Sequence, residues 1–113
     1  MIDIRIEKDD GTLRVRLLSE GHAGTGEAGH DLVCAAVSSL IYGYAKVIAH
    51  VDDKHIQARQ IRAGELPGEA TVDVICGCER IYQRVLHHIA PVERSLELLA
   101  QEYPNAVRLT VTR

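Results

Sequence analysis

Ile2, Ile4 and Ile6 alternate with polar residues, Asp10-Gly11 marks a turn, and Leu13, Val15 and Leu17 alternate again. A period of two on both sides of a turn dipeptide predicts a β-hairpin with one buried face. Glycines at 21, 24, 26 and 29 then crowd a stretch too glycine-dense for a strand or helix, which predicts a loop. From Asp31 onward Val33, Val37, Leu40, Tyr44, Val47 and Val51 recur at helical spacing, predicting a helix over about 31–50. Segments near 56–62 and 70–76 read as two more strands, joined by the turn-rich Gly64-Glu65-Leu66-Pro67-Gly68. Ile81, Val85, Ile89, Val92, Leu96, Leu99 and Tyr103 predict a second helix that ends at Tyr103-Pro104, with Pro91 expected to kink or divide it. Val107, Leu109 and Val111 close the chain in strand alternation. The order ββαββαβ predicts an α+β fold, one domain over 1–113, with two main helices packed on a mostly antiparallel sheet.

Composition narrows the function classes. Hydrophobic residues make up 46% of the chain and charged residues 26%, a balance that supports a packed core. With four Tyr and no Trp or Phe, that core must be aliphatic, and base-stacking platforms are scarce. The formal charge of −3 argues in the same direction, against a phosphate-backbone binder, so no direct nucleic-acid partner is expected. A mildly acidic surface instead tolerates a basic polypeptide. No charged-then-apolar leader is visible and no run was expected to approach the ~20 apolar residues of a membrane span, so the expected location is cytoplasmic with no membrane partner. Three Cys is an odd number, which argues against a disulfide framework.

Among the residues that can carry chemistry, Cys34 falls in the expected first helical turn, directly after the glycine loop. Unpaired N–H groups and the helix dipole at such a place stabilise a thiolate and can hold an oxyanion. The position alone also fits a buried cysteine acting as a small hydrophobe. His22, twelve residues earlier at the end of the second strand, is of the type that serves such a thiol as base, and by itself also fits a surface loop histidine.

Gly21-His22-Ala23, a glycine-containing spacer, and Asp31-Leu32-Val33-Cys34-Ala35-Ala36-Val37-Ser38 together resemble the signature of the ribosomal-processing cysteine protease family of bacteria, G-H-A followed by D-[IL]-V-C-A-A-V-S. The resemblance implies a Cys–His peptidase, Cys34 as nucleophile and His22 as base, that removes a short N-terminal extension from a large-subunit ribosomal protein. It also implies a homodimer and no cofactor. The chain departs from the family at Thr25, where members often carry an aromatic residue, and near Pro91, where they carry Gly. The competing class is a non-catalytic ribosome-associated or RNA-contacting module whose Cys and His are structural.

Supporting positions are Gly21, Ala23, Asp31 and Ser38. Asp31 has two readings, as an N-cap of the helix or as a third group orienting His22. Ser38, one turn beyond Cys34, either lines the pocket floor or bonds back to the Cys34 carbonyl. Cys76-Gly77-Cys78 with His87-His88 offers zinc-type ligands, but the spacing is poor for a structural zinc site, and no metal is expected. His50 and His55 read as surface residues, and Arg14 and Arg16 as a solvated strand face.

Overall fold

The structure, a computed structural model, describes the chain except residues 23–27, 52, 66 and 67, and except the side chains of 28–31 and 53. Strands β1 (Ile2–Asp9) and β2 (Arg14–Glu20) form the first hairpin, followed by helix α1 (Ala28–Ala49). The second hairpin is β3 (Ile56–Ala63) and β4 (Glu69–Cys76), and helix α2 (Glu79–Glu102) and strand β5 (Val107–Thr112) complete the order expected from the sequence. The five strands make one sheet in the order β3-β4-β2-β1-β5, antiparallel throughout except for the parallel pair β1–β5.

The alternation in each strand decides which face is covered. Ile2, Ile4 and Ile6 of β1, Val15 and Leu17 of β2, and Ala70, Val72, Val74 and Cys76 of β4 are buried on one side of the sheet. α1 adds Val33, Val37, Ile41, Tyr44, Ala45 and Ile48 to this core, and α2 adds Ile81, Tyr82, Val85, Ile89 and Leu96. Each fully buried aliphatic chain contributes about 1.5–3 kcal/mol through removal from water, so the mainly aliphatic composition suffices. The α1 stripe differs from expectation at one position: Val47 is 43% exposed, and Ile41, Ala45 and Ile48 turn inward instead.

Three limits of elements also differ. α1 starts at Ala28, so Gly29 lies in the helix rather than in the loop, and Asp31 lies in its first turn rather than at its cap. The side chain of Asp31 and all of Ala23, Gly24, Thr25 and Gly26 lie outside the described residues. Leu13 is not yet in β2 but sits in the turn with φ 56°, and its carbonyl accepts a hydrogen bond from the Cys76 N–H at 2.8 Å. α2 runs unbroken through Pro91. Pro91 and His87, whose carbonyl loses its helical donor there, are both exposed, so water can satisfy that oxygen and division of the helix is unnecessary.

The face away from the helices carries charge. Arg14 lies on it as expected, but paired: its Nε donates to Asp73 Oδ1 at 2.9 Å and its Nη2 to Asp73 Oδ2 at 2.6 Å. Asp3 and Arg108 pair at 2.8 Å across the β1–β5 seam. α1 corrects one further expectation. Its segment Leu32–Ala49 has a mean hydropathy of 1.7 over 18 residues, which meets the length and composition of a membrane span. About a third of that segment, 33%, is buried, on the side of α1 that lies in the core.

Candidate active site

The two candidate residues, His22 and Cys34, are carried by different elements. His22 follows Gly21 just past the end of β2, and Cys34 lies on α1, half-buried, on a residue face shared with Val37, Ser38 and Ile41. They meet in one cleft of about 110 Å³, whose walls include Gly21, His22, Cys34 and Ser38 together with Ile2, Ser19, Tyr42, Gly68 and Glu69.

Local backbone explains why the histidine is where it is. Gly21 has φ +101°, and a Cβ there would fall 2.1 Å from the carbonyl oxygen of Met1, so no other residue fits. Its N–H donates to the Gly68 carbonyl at 2.8 Å, which fastens the end of β2 to the turn before β4. The His22 carbonyl accepts a hydrogen bond from the Met1 amino group. His22 is therefore held at its backbone from both sides, with its imidazole left in the cleft.

α1 presents Cys34 differently from the sequence expectation. The thiol residue is the seventh of the helix rather than a member of its first turn, because the helix begins at Ala28. Its own N–H thus lies within the region of internal helical bonding, and the dipole of the N-terminus has largely decayed there. The helix start therefore offers this thiol little stabilisation of a negative charge.

Of the supporting residues read from the sequence, Gly21 and Ser38 line the cleft, whereas Ala23 and the Asp31 side chain are not among the described residues. Ser19, Tyr42, Gly68 and Glu69 are the cleft residues that the sequence did not single out. Ser19 carried a signal, since it continues the inward phase of Val15 and Leu17 with a polar group. Tyr42 carried none.

The other cysteines are of a different kind. Cys76 is 2% exposed, and burial, with a smaller contribution from Cys78, pushes its pKa up to about 11. No disulfide joins any of the three cysteines. Among the described residues no three His, Cys, Asp or Glu side chains converge as a metal site would require.

Comparison with known proteins places this geometry. A family model described as cysteine protease Prp matches residues 1–108. The chain belongs to that family. The resemblance carried by Gly21-His22-Ala23 and the segment from Asp31 to Ser38 is thereby borne out. A ribosomal processing cysteine protease Prp from Staphylococcus aureus is 38% identical over 48 residues, 42% of this chain and 45% of the relative, so the match spans less than half of the relative's length. Among solved structures, the S. aureus Prp with a covalently linked product peptide superposes with a TM-score of 0.72 at 26% identity, covering 98% of this chain and 99% of the other. The same enzyme with a substrate peptide gives 0.74 at 23% identity over 98% and 99%, which supports the fold. The expected α+β architecture therefore matches this family's.

Proposed function

We propose that this chain is a cysteine endopeptidase that removes a short N-terminal extension from a large-subunit ribosomal protein. The observation that carries the reading is the meeting of Cys34 from α1 and His22 from the end of β2 in one cleft, in a chain of a cysteine protease family. The S. aureus relative's structure with a covalently linked product peptide supports acyl or thioester chemistry on this fold.

In the proposed reaction His22 takes the Cys34 proton, and the thiolate attacks the scissile carbonyl. The imidazolium then gives its proton to the leaving amine, and water hydrolyses the thioester with His22 again acting as base. Ser38, on the same wall as Cys34, contacts the bound peptide. The trough needed by a polypeptide is supported by a second cleft, lined by Asp3, Glu20 and Arg108, that shares Gly21, His22, Gly68 and Glu69 with the first. No cofactor enters any step.

The same reading places the reaction in the cytoplasm, on a homodimer. Exposed apolar side chains on α1, with Leu32 at 74%, Tyr42 at 40% and Val47 at 43%, support self-association through that helix. Sedimentation of the purified protein at micromolar concentration tests it, with a monomer at all concentrations refuting the dimer.

The decisive experiment uses the source organism's own ribosomal protein with its encoded N-terminus. Wild-type enzyme is expected to shorten it, and Cys34→Ala, Cys34→Ser and His22→Ala to lose on the order of 10⁴-fold or more in rate while circular dichroism stays unchanged. Cleavage by Cys34→Ala at near wild-type rate would sink the mechanism. An unshortened protein in the organism's mature ribosomes would sink the substrate while leaving the peptidase intact. The competing non-catalytic module is separated by thiol alkylation, since only an activated Cys34 reacts quickly at neutral pH.

A further inference from the structure

We infer that Gly68, in the turn between β3 and β4, is a positioning residue that seats the imidazole of His22, an inference that rests on the dyad reading above. A Cβ added at Gly68 would fall 2.8 Å from His22 Cε1 and 2.9 Å from Nε2, closer than side-chain carbons approach one another. The bare Cα of Gly68 is thus the surface against which the ring lies. Its carbonyl at the same time accepts the Gly21 N–H at 2.8 Å, so one residue fixes both the backbone before the histidine and the place of its ring. Gly68, His22 and Cys34 all line the same cleft.

The chemical consequence follows from proton transfer. A base works only within hydrogen-bond reach of the proton it takes, and displacement by about 1 Å costs roughly a hundredfold in rate. Any side chain at position 68 must either push the ring out of its seat or move the turn that holds Gly21. His22 is exposed, so the close approach of Gly68 is a main restraint on its ring among the described residues.

A turn glycine can also be required for its backbone alone, since Gly68 has φ +76°. Gly64 separates the two explanations. It lies in the same turn with φ +87°, but a Cβ there comes no closer than 3.7 Å to its nearest neighbour, Tyr42. Gly64→Ala therefore carries the same backbone penalty without touching the histidine.

The test compares Gly68→Ala, Gly68→Asn, Gly64→Ala and His22→Ala in peptide cleavage, with the His22 Cε1–H resonance followed by NMR through a pH titration. Asn tolerates left-handed backbone, so Gly68→Asn keeps the question open to experiment even if Gly68→Ala folds poorly. Both Gly68 variants are expected to lower kcat about a hundredfold with little change in KM, and to shift the His22 resonance. Gly64→Ala is expected to keep the wild-type kcat and resonance. Folded Gly68 variants with wild-type kcat and an unmoved resonance overturn the inference, as does Gly64→Ala losing activity to the same extent. If His22→Ala cleaves as well as wild type while the Gly68 variants still move the resonance, the dyad reading fails and Gly68 loses its catalytic use, although it still seats the ring.

Discussion

Arg59 gives the sharpest quantitative test of how the fold supports α1. It lies on the helix-covered face of β3, opposite Val74 in the register, where an unpaired cation would be costly. Its Nη1 donates to the carbonyl of Ile48 at 2.8 Å and to that of Val51 at 3.1 Å, capping the end of the helix that carries Cys34. Hydrogen bonds from a charged donor contribute about 1.5–3 kcal/mol, and the cation at a helix C-terminus adds about 0.3–1 kcal/mol. Replacement by Met keeps most of the apolar stem and removes only the charged head. Arg59→Met is therefore expected to cost roughly 2–3 kcal/mol. At a urea slope of about 1.5 kcal/mol/M this lowers the unfolding midpoint by about 1.5–2 M. Arg59→Lys, which retains charge but not the planar fork, should recover about half of the loss. Cleavage per folded molecule should be unchanged, because Ile48 lies 14 residues (48 − 34) from Cys34, about 21 Å along the helix. Equilibrium urea unfolding monitored by circular dichroism supplies the measurement. A midpoint within about 0.3 M of wild type, at an unchanged slope, would show that these carbonyls are equally well served by water.

Three other outcomes are expected. The buried Tyr44 hydroxyl has no hydrogen-bond partner among the described residues, and burial raises its pKa, so Tyr44→Phe should stabilise the fold by about 1 kcal/mol in thermal unfolding, and a loss of stability would reveal a partner for that oxygen. Cys76 ionises near 9.0 when unfolded but at about 11 when folded; the folded state then holds more protons, so stability should fall as pH rises from 9 toward 11, and Cys76→Ala should flatten that decline. An identical decline in the variant would assign it to other groups, Tyr82 foremost, whose pKa burial and Asp10 push up to about 12. Chelator treatment should leave cleavage unchanged, and activity lost to it and restored by zinc would return attention to Cys76, Cys78 and His87.

Strand and helix order was legible because burial follows period: Ile2-Ile4-Ile6 and Val72-Val74 could face only one way. Helix starts were less legible. Asp31 has the chemistry of a cap, yet α1 begins at Ala28, which moved Cys34 out of the first turn. Pro91 does not divide α2, because a ring on the solvent side of a helix frees a carbonyl that water can reach. His22 and Cys34 were legible as a motif, whereas their meeting depends on pairing between β2 and β4, which local sequence does not encode. Gly68 was visible only as a turn residue, because what it excludes is a side chain 46 residues away (68 − 22).

The parallel seam between β1 and β5 sets an order of assembly. β1 meets β2 through a turn of a few residues, but Asp3 meets Arg108 across a separation of 105. Each doubling of a closed loop costs about 0.6 kcal/mol in chain entropy, so the second pairing is dearer by about 3 kcal/mol and must wait for contacts that shorten the path. β5 is thus the last strand to join and the first to peel away. The cleft shared by His22 and Cys34 lies mainly on β2, β4 and α1, with Ile2 reaching it from the seam, whereas the adjoining cleft takes Asp3 and Arg108 from the seam itself. A molecule that has shed β5 would retain the elements that carry His22, Gly68 and Cys34 but lose Arg108 from the adjoining cleft, and it would expose a bare edge of β1 prone to associate edge to edge.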